Sequence, residues 1–219
     1  MNSSAPVGDH TRDLVTGAFG NTGSAIAARL QAGGRRVRTL TSRAQPSRAG
    51  TSRAGDDATI EVFGWDDLAR AFDGVATFYN TFWMRTGNPG SHGTDYSLAA
   101  ERSARLIEAA AAAGVERIVH LSVAHADDPA AAKYPYFAAK AGVEAMIRAT
   151  GITHTIVRPA LIFGGGPGMV EQLAWVLRRM PVMGVAGDGT YRVRPVHVDD
   201  VADLVVTAGR FADATATGT

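Results

Sequence analysis

Three glycines at three-residue spacing, Gly17, Gly20 and Gly23, lie between a short apolar run and an alanine-rich segment. No other stretch constrains the chain as tightly. Leu14-Val15-Thr16 reads as the end of a strand, and Ser24-Ala25-Ile26-Ala27-Ala28-Arg29-Leu30 as a helix with one apolar face. Strand, tight turn and helix in that order give each glycine a role. Gly17 takes the positive φ that ends a strand abruptly. Gly20 keeps a Cβ out of the path of an approaching ligand. Gly23, on the first helical turn, lets that helix pack close to the strand. The N–H groups at the helix start then point outward with the positive end of the helix dipole, which suits a phosphate. A purely structural turn uses glycine for the same steric reasons, so the strand before and the helix after carry the nucleotide reading. The spacing is G-x-x-G-x-x-G, and the G-K-[ST] of a P-loop is absent.

The rest of the chain repeats the alternation. Strands are expected over 13–16, 37–41, 60–63, 75–80, 116–121, 153–158 and 193–198. Helices are expected from the glycine turn to Ala32, over 66–72, from a cap at Thr94 or Asp95 to Ala113, and over 135–150, 169–180 and 199–210. Pro135 stands where its missing N–H costs a helix nothing. Strands alternating with helices predict an α/β fold, a doubly wound parallel sheet with helices on both faces. Residues 1–12 read as a loose tail, and 42–57, rich in Arg, Ser, Gly and Pro, as a long flexible loop. One domain over 13–219 is expected, with a small substrate-side segment around 164–190.

Composition excludes several alternatives. The 219 residues carry a net charge of +1, which gives no reason to expect nucleic acid or a membrane surface as partner. There is no cysteine, so disulfides and thiolate chemistry are excluded, and the six histidines lack metal-ligand spacing. No apolar run approaches transmembrane length, and the first dozen residues lack the apolar core of a signal peptide. A cytoplasmic protein without a metal is expected.

In a dinucleotide site the end of the second strand faces the adenosine ribose. An acidic residue there binds the 2′-hydroxyl of NAD, and an arginine accommodates the 2′-phosphate of NADP. This chain has Thr41-Ser42-Arg43 and no acidic residue before Asp56. Ser42 and Arg43 therefore favour NADP (NADPH) over NAD. The alternative is that the nearby arginines form a solvated face.

A second informative stretch is Tyr134-Pro135-Tyr136-Phe137-Ala138-Ala139-Lys140. Four residues on a helix bring Tyr136 and Lys140 to one face. A phenol titrates near ~10 and needs a neighbouring cation to exchange protons at neutral pH. Tyr134 has Ala138 at the same spacing and lacks such a partner. Of the 22 Lys and Arg residues only Lys133 and Lys140 are lysines, which makes the pairing more pointed. The bland reading is a half-buried helix with an exposed lysine.

Thr16-Gly17-Ala18-Phe19-Gly20-Asn21-Thr22-Gly23 together with Tyr136-x-x-x-Lys140 resembles the extended or atypical short-chain dehydrogenase/reductase superfamily. So do Gly114-Val115-Glu116-Arg117-Ile118-Val119-His120-Leu121-Ser122, Val157-Arg158-Pro159 leading to Ile162-Phe163-Gly164, and Pro195-Val196-His197-Val198-Asp199-Asp200-Val201-Ala202. The matches span most of the chain. They are most similar to the NAD(P)-dependent epimerase/dehydratase-like members, which include the NmrA-like regulators.

The resemblance implies a Rossmann-type fold and a Ser/Thr–Tyr–Lys set, with Tyr136 as acid/base, Lys140 tuning it and binding ribose, and Ser122 assisting. It further implies that Gly17, Ala18, Phe19, Gly20, Asn21, Thr22 and Gly23 hold the pyrophosphate. Asn80, Thr81 and Phe82 would lie beside the cofactor's middle, and Pro159 to Ile162 against the nicotinamide. Arg158 and His197 are candidates on the substrate side, although a core role is the more ordinary one for His197.

Two departures stand out. The third position of the family's serine run is Ala124 here. Extended members continue beyond the Asp199-Asp200 helix, so the substrate lobe is expected to be reduced or truncated. Either the chain is a fragment, or its substrate pocket is open and built mainly from Gly164–Gly189; Trp83, Met84, Met169, Trp175 and Met183 are candidates for its lining, with core packing as the equal alternative. The expected activity is hydride transfer between a nicotinamide and a carbonyl or carbinol, as an oxidoreductase or a sugar-epimerase-like enzyme. The alternative is a non-catalytic NmrA-like NAD(P) sensor. A small-molecule substrate is the expected partner, and the long alanine-rich helix is a candidate surface for a homodimer.

Overall fold

The computed structural model describes residues 12–41, 60–83, 96–166, 168–180, 182, 184–185 and 187–210. Six strands form one parallel sheet: β1 (Arg12–Val15), β2 (Arg36–Thr41), β3 (Glu61–Gly64), β4 (Val75–Asn80), β5 (Arg117–Leu121) and β6 (Thr153–Val157). Their order is β3-β2-β1-β4-β5-β6. This is the Rossmann-like arrangement expected from the sequence. Every residue of β4 is buried, as a central parallel strand covered on both faces must be.

Alternation along the strands separates two cores. Leu14, Phe78 and Ile118 pack with α2 (Leu68–Phe72), α3 (Tyr96–Ala112) and α4 (Pro135–Ala149). Val15, Tyr79 and Val119 pack on the other face with α1 (Asn21–Ala32) and α6 (Val198–Arg210). α3 buries Ala99, Ser103, Leu106, Ile107 and Ala110 within the chain. Among the described residues no helix is long and apolar enough to cross a membrane.

Charges hold the ends of these elements. Asp13 is buried at the start of β1 and takes both N–H bonds of an Arg35 fork, at 2.7 and 2.8 Å. The buried Arg38 donates to Glu61 on β3 and to the carbonyls of Arg70, Ala71 and Asp73, which satisfies the end of the short α2.

The elements differ from expectation in a few places. β1 takes in Arg12, which the sequence left in the tail. β7 (Leu161–Phe163) was not expected. It pairs in parallel with β8 (Pro195–His197) as a separate two-stranded sheet, with Ile162 opposite Val196. Three residues between Pro159 and Gly164 are too short to show a strand period. α5 (Met169–Leu177) closes before Arg178, short of the expected 180. The loop expected over 42–57 lies outside the described residues.

Candidate active site

The sheet order reverses at β1 and β4, and in such folds ligands bind in the crevice at the carboxyl ends of the strands at that point. The glycine turn stands there. Gly17 has φ +70°, and the Gly20 N–H donates to the Gly17 carbonyl at 2.7 Å. A Cβ on Gly23 would fall 2.1 Å from the same carbonyl oxygen. α1 opens at Asn21, and the N–H of Ser24 bonds the Gly20 carbonyl at 2.9 Å. The amides of Asn21, Thr22 and Gly23 therefore precede the point where helix bonding can satisfy them. No acidic side chain occupies this first turn. A crowded turn with glycine at its tightest points, before a helix mouth without its own counter-charge, fits the phosphates of a dinucleotide.

Side chains in this turn have separate tasks. Ala18 is buried, and its N–H donates to the Thr39 hydroxyl, which donates in turn to the Val15 carbonyl. Phe19 is exposed. The Asn21 amide donates to the Gly164 carbonyl at 3.0 Å, tying α1 to the loop after β7. Thr22 is half-buried.

Asn80, Thr81 and Phe82 leave β4 next to this turn. Asn80 Oδ1 accepts from the Thr16 hydroxyl and the Phe82 N–H. The Thr81 N–H donates to Thr16 Oγ1 at 2.9 Å, and its hydroxyl donates to the Thr16 carbonyl. The ends of β1 and β4 are thereby fixed to each other.

One residue beyond Phe82, Trp83 links the end of β4 to α4. Its ring meets Tyr136 edge-on with centroids 5.6 Å apart, and Lys140 Nζ lies 4.1 Å from its centroid. Tyr136 also contacts Tyr96 and Phe137, at 5.7 and 5.3 Å. Lys140 is buried and donates to the Leu121 carbonyl at 3.2 Å. Burial pushes its ammonium down to about 8, against the opposing pull of Glu144. Ser122 is buried at the end of β5, where its N–H bonds the Val157 carbonyl at 2.8 Å. Lys140 thus reaches the carbonyl next to Ser122 at the end of β5, and Trp83 links its ammonium to the Tyr136 ring. The lysine is buried rather than exposed as the bland reading had it.

Two of the remaining expectations meet different surroundings. Arg158 has a side chain only 6% exposed and spends its guanidinium on Glu144 and Asp127. The substrate contact expected of it gives way to this buried ion pair. His197 is half-buried at the end of β8, with Nδ1 accepting from the Asp199 N–H at 3.2 Å and the ring edge-on to Phe163. The Pro159 carbonyl accepts from the Ala124 N–H at 3.0 Å, and Ile162 packs against the α1/α6 core. Ser42, Arg43, Met84 and Met183 lie outside the described residues, as does the Met169 side chain. Trp175 is exposed on α5 with Arg179 stacked 4.1 Å over its ring.

The sequence reading missed Glu144, Asp127 and His120. Glu144 stands four residues after Lys140 and four before Arg148, so its helical spacing was visible. Burial alone would push its carboxyl up, but the hydrogen bonds and charges of Arg158 and Arg148 outweigh this and hold it down to about 2. His120 is fully buried. Desolvation, then the Lys140 charge, push it down to about 3, so it is neutral at pH 7. His125, in the turn after Ser122, has φ +64°, a backbone setting that non-glycine residues rarely take.

Comparisons with known proteins agree with this geometry. Residues 17–209 match the family described as NAD(P)H-binding. The NmrA-like family domain-containing oxidoreductase himF of Aspergillus japonicus is 31% identical over 217 residues, covering 87% of this chain and 61% of its own. The uncharacterized sugar epimerase YhfK of Bacillus subtilis is 31% identical over 124 residues, covering 53% of this chain and 56% of its own. The chain therefore spans about three-fifths of the length of these two relatives. Among solved structures, MoeE5 in complex with UDP-glucose and NAD superposes with a TM-score of 0.74 at 23% identity, over 92% of this chain and 73% of that one. The NAD-dependent NDP-hexosamine 5,6-dehydratase TunA gives 0.70 at 22% identity, over 91% and 72%. Crevice, glycine turn and family match converge: the chain belongs to the NAD(P)H-binding family, with the fold of the NAD-dependent epimerases and dehydratases of the extended short-chain superfamily.

Proposed function

We propose that this protein is an NAD(P)H-dependent enzyme of the oxidoreductase/epimerase type, with Tyr136 as the acid/base at a substrate carbonyl or carbinol. The observation that carries this is Trp83, which follows the strand-end residues of the cofactor crevice and touches both the Tyr136 ring and the Lys140 ammonium. A nicotinamide cofactor supplies the hydride chemistry when bound. Gly17, Gly20 and Gly23 and the α1 amides hold its pyrophosphate, Asn80, Thr81 and Phe82 flank its middle, and Pro159 and Ile162 line the nicotinamide side.

In the reducing direction Tyr136 Oη gives its proton to the oxygen of the substrate, and in the oxidising direction it removes one from the carbinol. Lys140 stabilises the phenolate left behind and reaches toward the ribose hydroxyls. Ser122 orients the substrate oxygen. Because MoeE5 was solved with UDP-glucose and with UDP-glucuronic acid, nucleotide sugars are the first substrates to try, followed by simple carbonyl compounds.

NADPH is the preferred cofactor in this reading, on the strength of Ser42 and Arg43 and the lack of an acid nearby. Fluorescence titration with NADPH and NADH tests it. Tight NADPH binding that weakens selectively in Arg43→Ala supports the preference, and equal binding of both nucleotides removes it.

A nucleotide sensor without turnover is the second reading, favoured by Ala124 in place of a hydroxyl and by the NmrA-like relative. It predicts nucleotide binding without consumption, and capture of a partner that depends on nucleotide redox state.

A further inference from the structure

Glu144 lies one helical turn beyond Lys140 and two beyond Tyr136, and its side chain is 1% exposed. A carboxylate buried this deeply needs partners. It takes N–H bonds from Arg158 Nε at 2.9 Å and Nη2 at 2.6 Å, and from Arg148 Nη2 at 3.0 Å. Arg158 Nη1 continues to Asp127 at 2.6 Å, in the turn that follows Ser122. One carboxylate therefore joins α4, the end of β6 and the turn after β5.

The groups around Lys140 leave Glu144 a particular electrical task. From the sheet come the Leu121 carbonyl, which accepts from Lys140, and the buried His120, which is neutral. From the chain after β4 comes the Trp83 ring. α4 itself supplies Tyr136, Glu144 and Arg148, and β6 is followed by Arg158. Asp127 is mostly exposed and closes on the outer side of Arg158. Among the described residues Glu144 is thus the buried carboxylate one helical turn from Lys140 on the same helix. Its clamp by two guanidinium groups keeps it ionised throughout the pH range in which the lysine titrates.

We propose that Glu144 is a positioning residue for the Tyr136–Lys140 pair: its buried carboxylate keeps Lys140 an ammonium at neutral pH and, through Arg158 and Asp127, holds the Ser122 turn against α4. This rests on the reading of Tyr136 and Lys140 given above. A lysine buried without that counter-charge loses its proton near or below neutrality and ceases to stabilise a phenolate. Arg148, whose side chain is 44% exposed, bonds the same carboxylate and is screened by water from Lys140.

The test follows Lys140 directly. The full chain is grown with lysine labelled with ¹³C at Cε, which gives one signal each for Lys133 and Lys140, and the pH is scanned by NMR. In the wild type the Lys140 signal is expected to titrate at about 8. Glu144→Gln is expected to lower that midpoint by about one unit or more, and Glu144→Asp, which keeps the charge, to restore part of it. Where Glu144→Gln strands Arg158 and fails to fold, Glu144→Gln/Arg158→Met removes the ion pair as a unit, and a smaller but measurable fall is expected because a neighbouring cation goes with the carboxylate. A Lys140 midpoint that stays at the wild-type value in either folded variant overturns the proposal. The readout is independent of turnover. A shifted Lys140 with no Tyr136-dependent activity counts against the enzymatic reading alone, and an unmoved Lys140 in an active protein counts against the role of Glu144 alone.

Discussion

Gly23 approaches Gly17 so closely that a methyl group on Gly23 would sit 2.1 Å from the Gly17 carbonyl oxygen and 3.1 Å from the Ala18 nitrogen. Both obstacles are backbone and cannot rotate aside. Gly23→Ala is therefore expected to cost about 3 kcal/mol by overpacking, more than the ~1 kcal/mol that alanine returns as a helix former. At Gly20 the added Cβ would stand 3.2 Å from the same oxygen, and the loss should be under about 1 kcal/mol by the same reasoning. Urea denaturation of the two variants checks the ranking. Equal stability of Gly23→Ala and the wild type would refute the close approach.

The Asp13–Arg35 pair at the foot of β1 gives a second expectation. Asp13 is 1% exposed and Arg35 is the guanidinium that forks onto it. Arg35→Ala leaves a buried carboxylate with its main partner gone, and should destabilise by about 3 kcal/mol. Asp13→Asn/Arg35→Ala should recover part of that loss, since no buried charge is stranded. A double-mutant cycle measures the difference.

Acid should weaken the fold from near neutrality downward. The folded-state value of His120 is depressed to about 3 from 6.5, so the unfolded chain binds its proton first. Stability from this group is complete above about pH 6.5 and is lost as the pH falls toward 3. Glu144, depressed to about 2, adds a second loss below about pH 4.5. His120→Asn should retain more of its pH 8 stability at pH 4.5 than the wild type does, by up to about 3 kcal/mol. Thermal melts at the two pH values test this, and identical pH dependence in both proteins would count against a buried neutral His120.

The order of strands and helices was legible in the sequence because each element is long enough to show its period and is punctuated by glycine or proline. Pro135 at the start of α4 and the buried run Val75–Asn80 are examples. The glycine turn and the shared face of Tyr136 and Lys140 were legible for the same reason, being local. What escaped was long-range. β7 exists because Ile162 finds Val196, a partner far along the chain. Arg158 looked like a substrate contact because nothing local reveals that Glu144 and Asp127, 14 and 31 residues away, claim its guanidinium. Trp83 read as a pocket residue, and its place over the Lys140 ammonium depends on how α4 docks against the chain after β4.

Tyr136→Phe removes one hydroxyl and leaves the ring contacts to Trp83, Tyr96 and Phe137 in place. The most direct test of the central claim is therefore steady-state NADPH consumption with nucleotide-sugar and carbonyl substrates, in the wild type and in Tyr136→Phe, with NADPH affinity measured on both. Equal NADPH binding is expected, with a rate lower by about 100-fold or more in the variant, the usual weight of a positioned acid/base. A variant that binds NADPH and turns over at the wild-type rate would contradict the assignment of Tyr136 as the proton-transferring group.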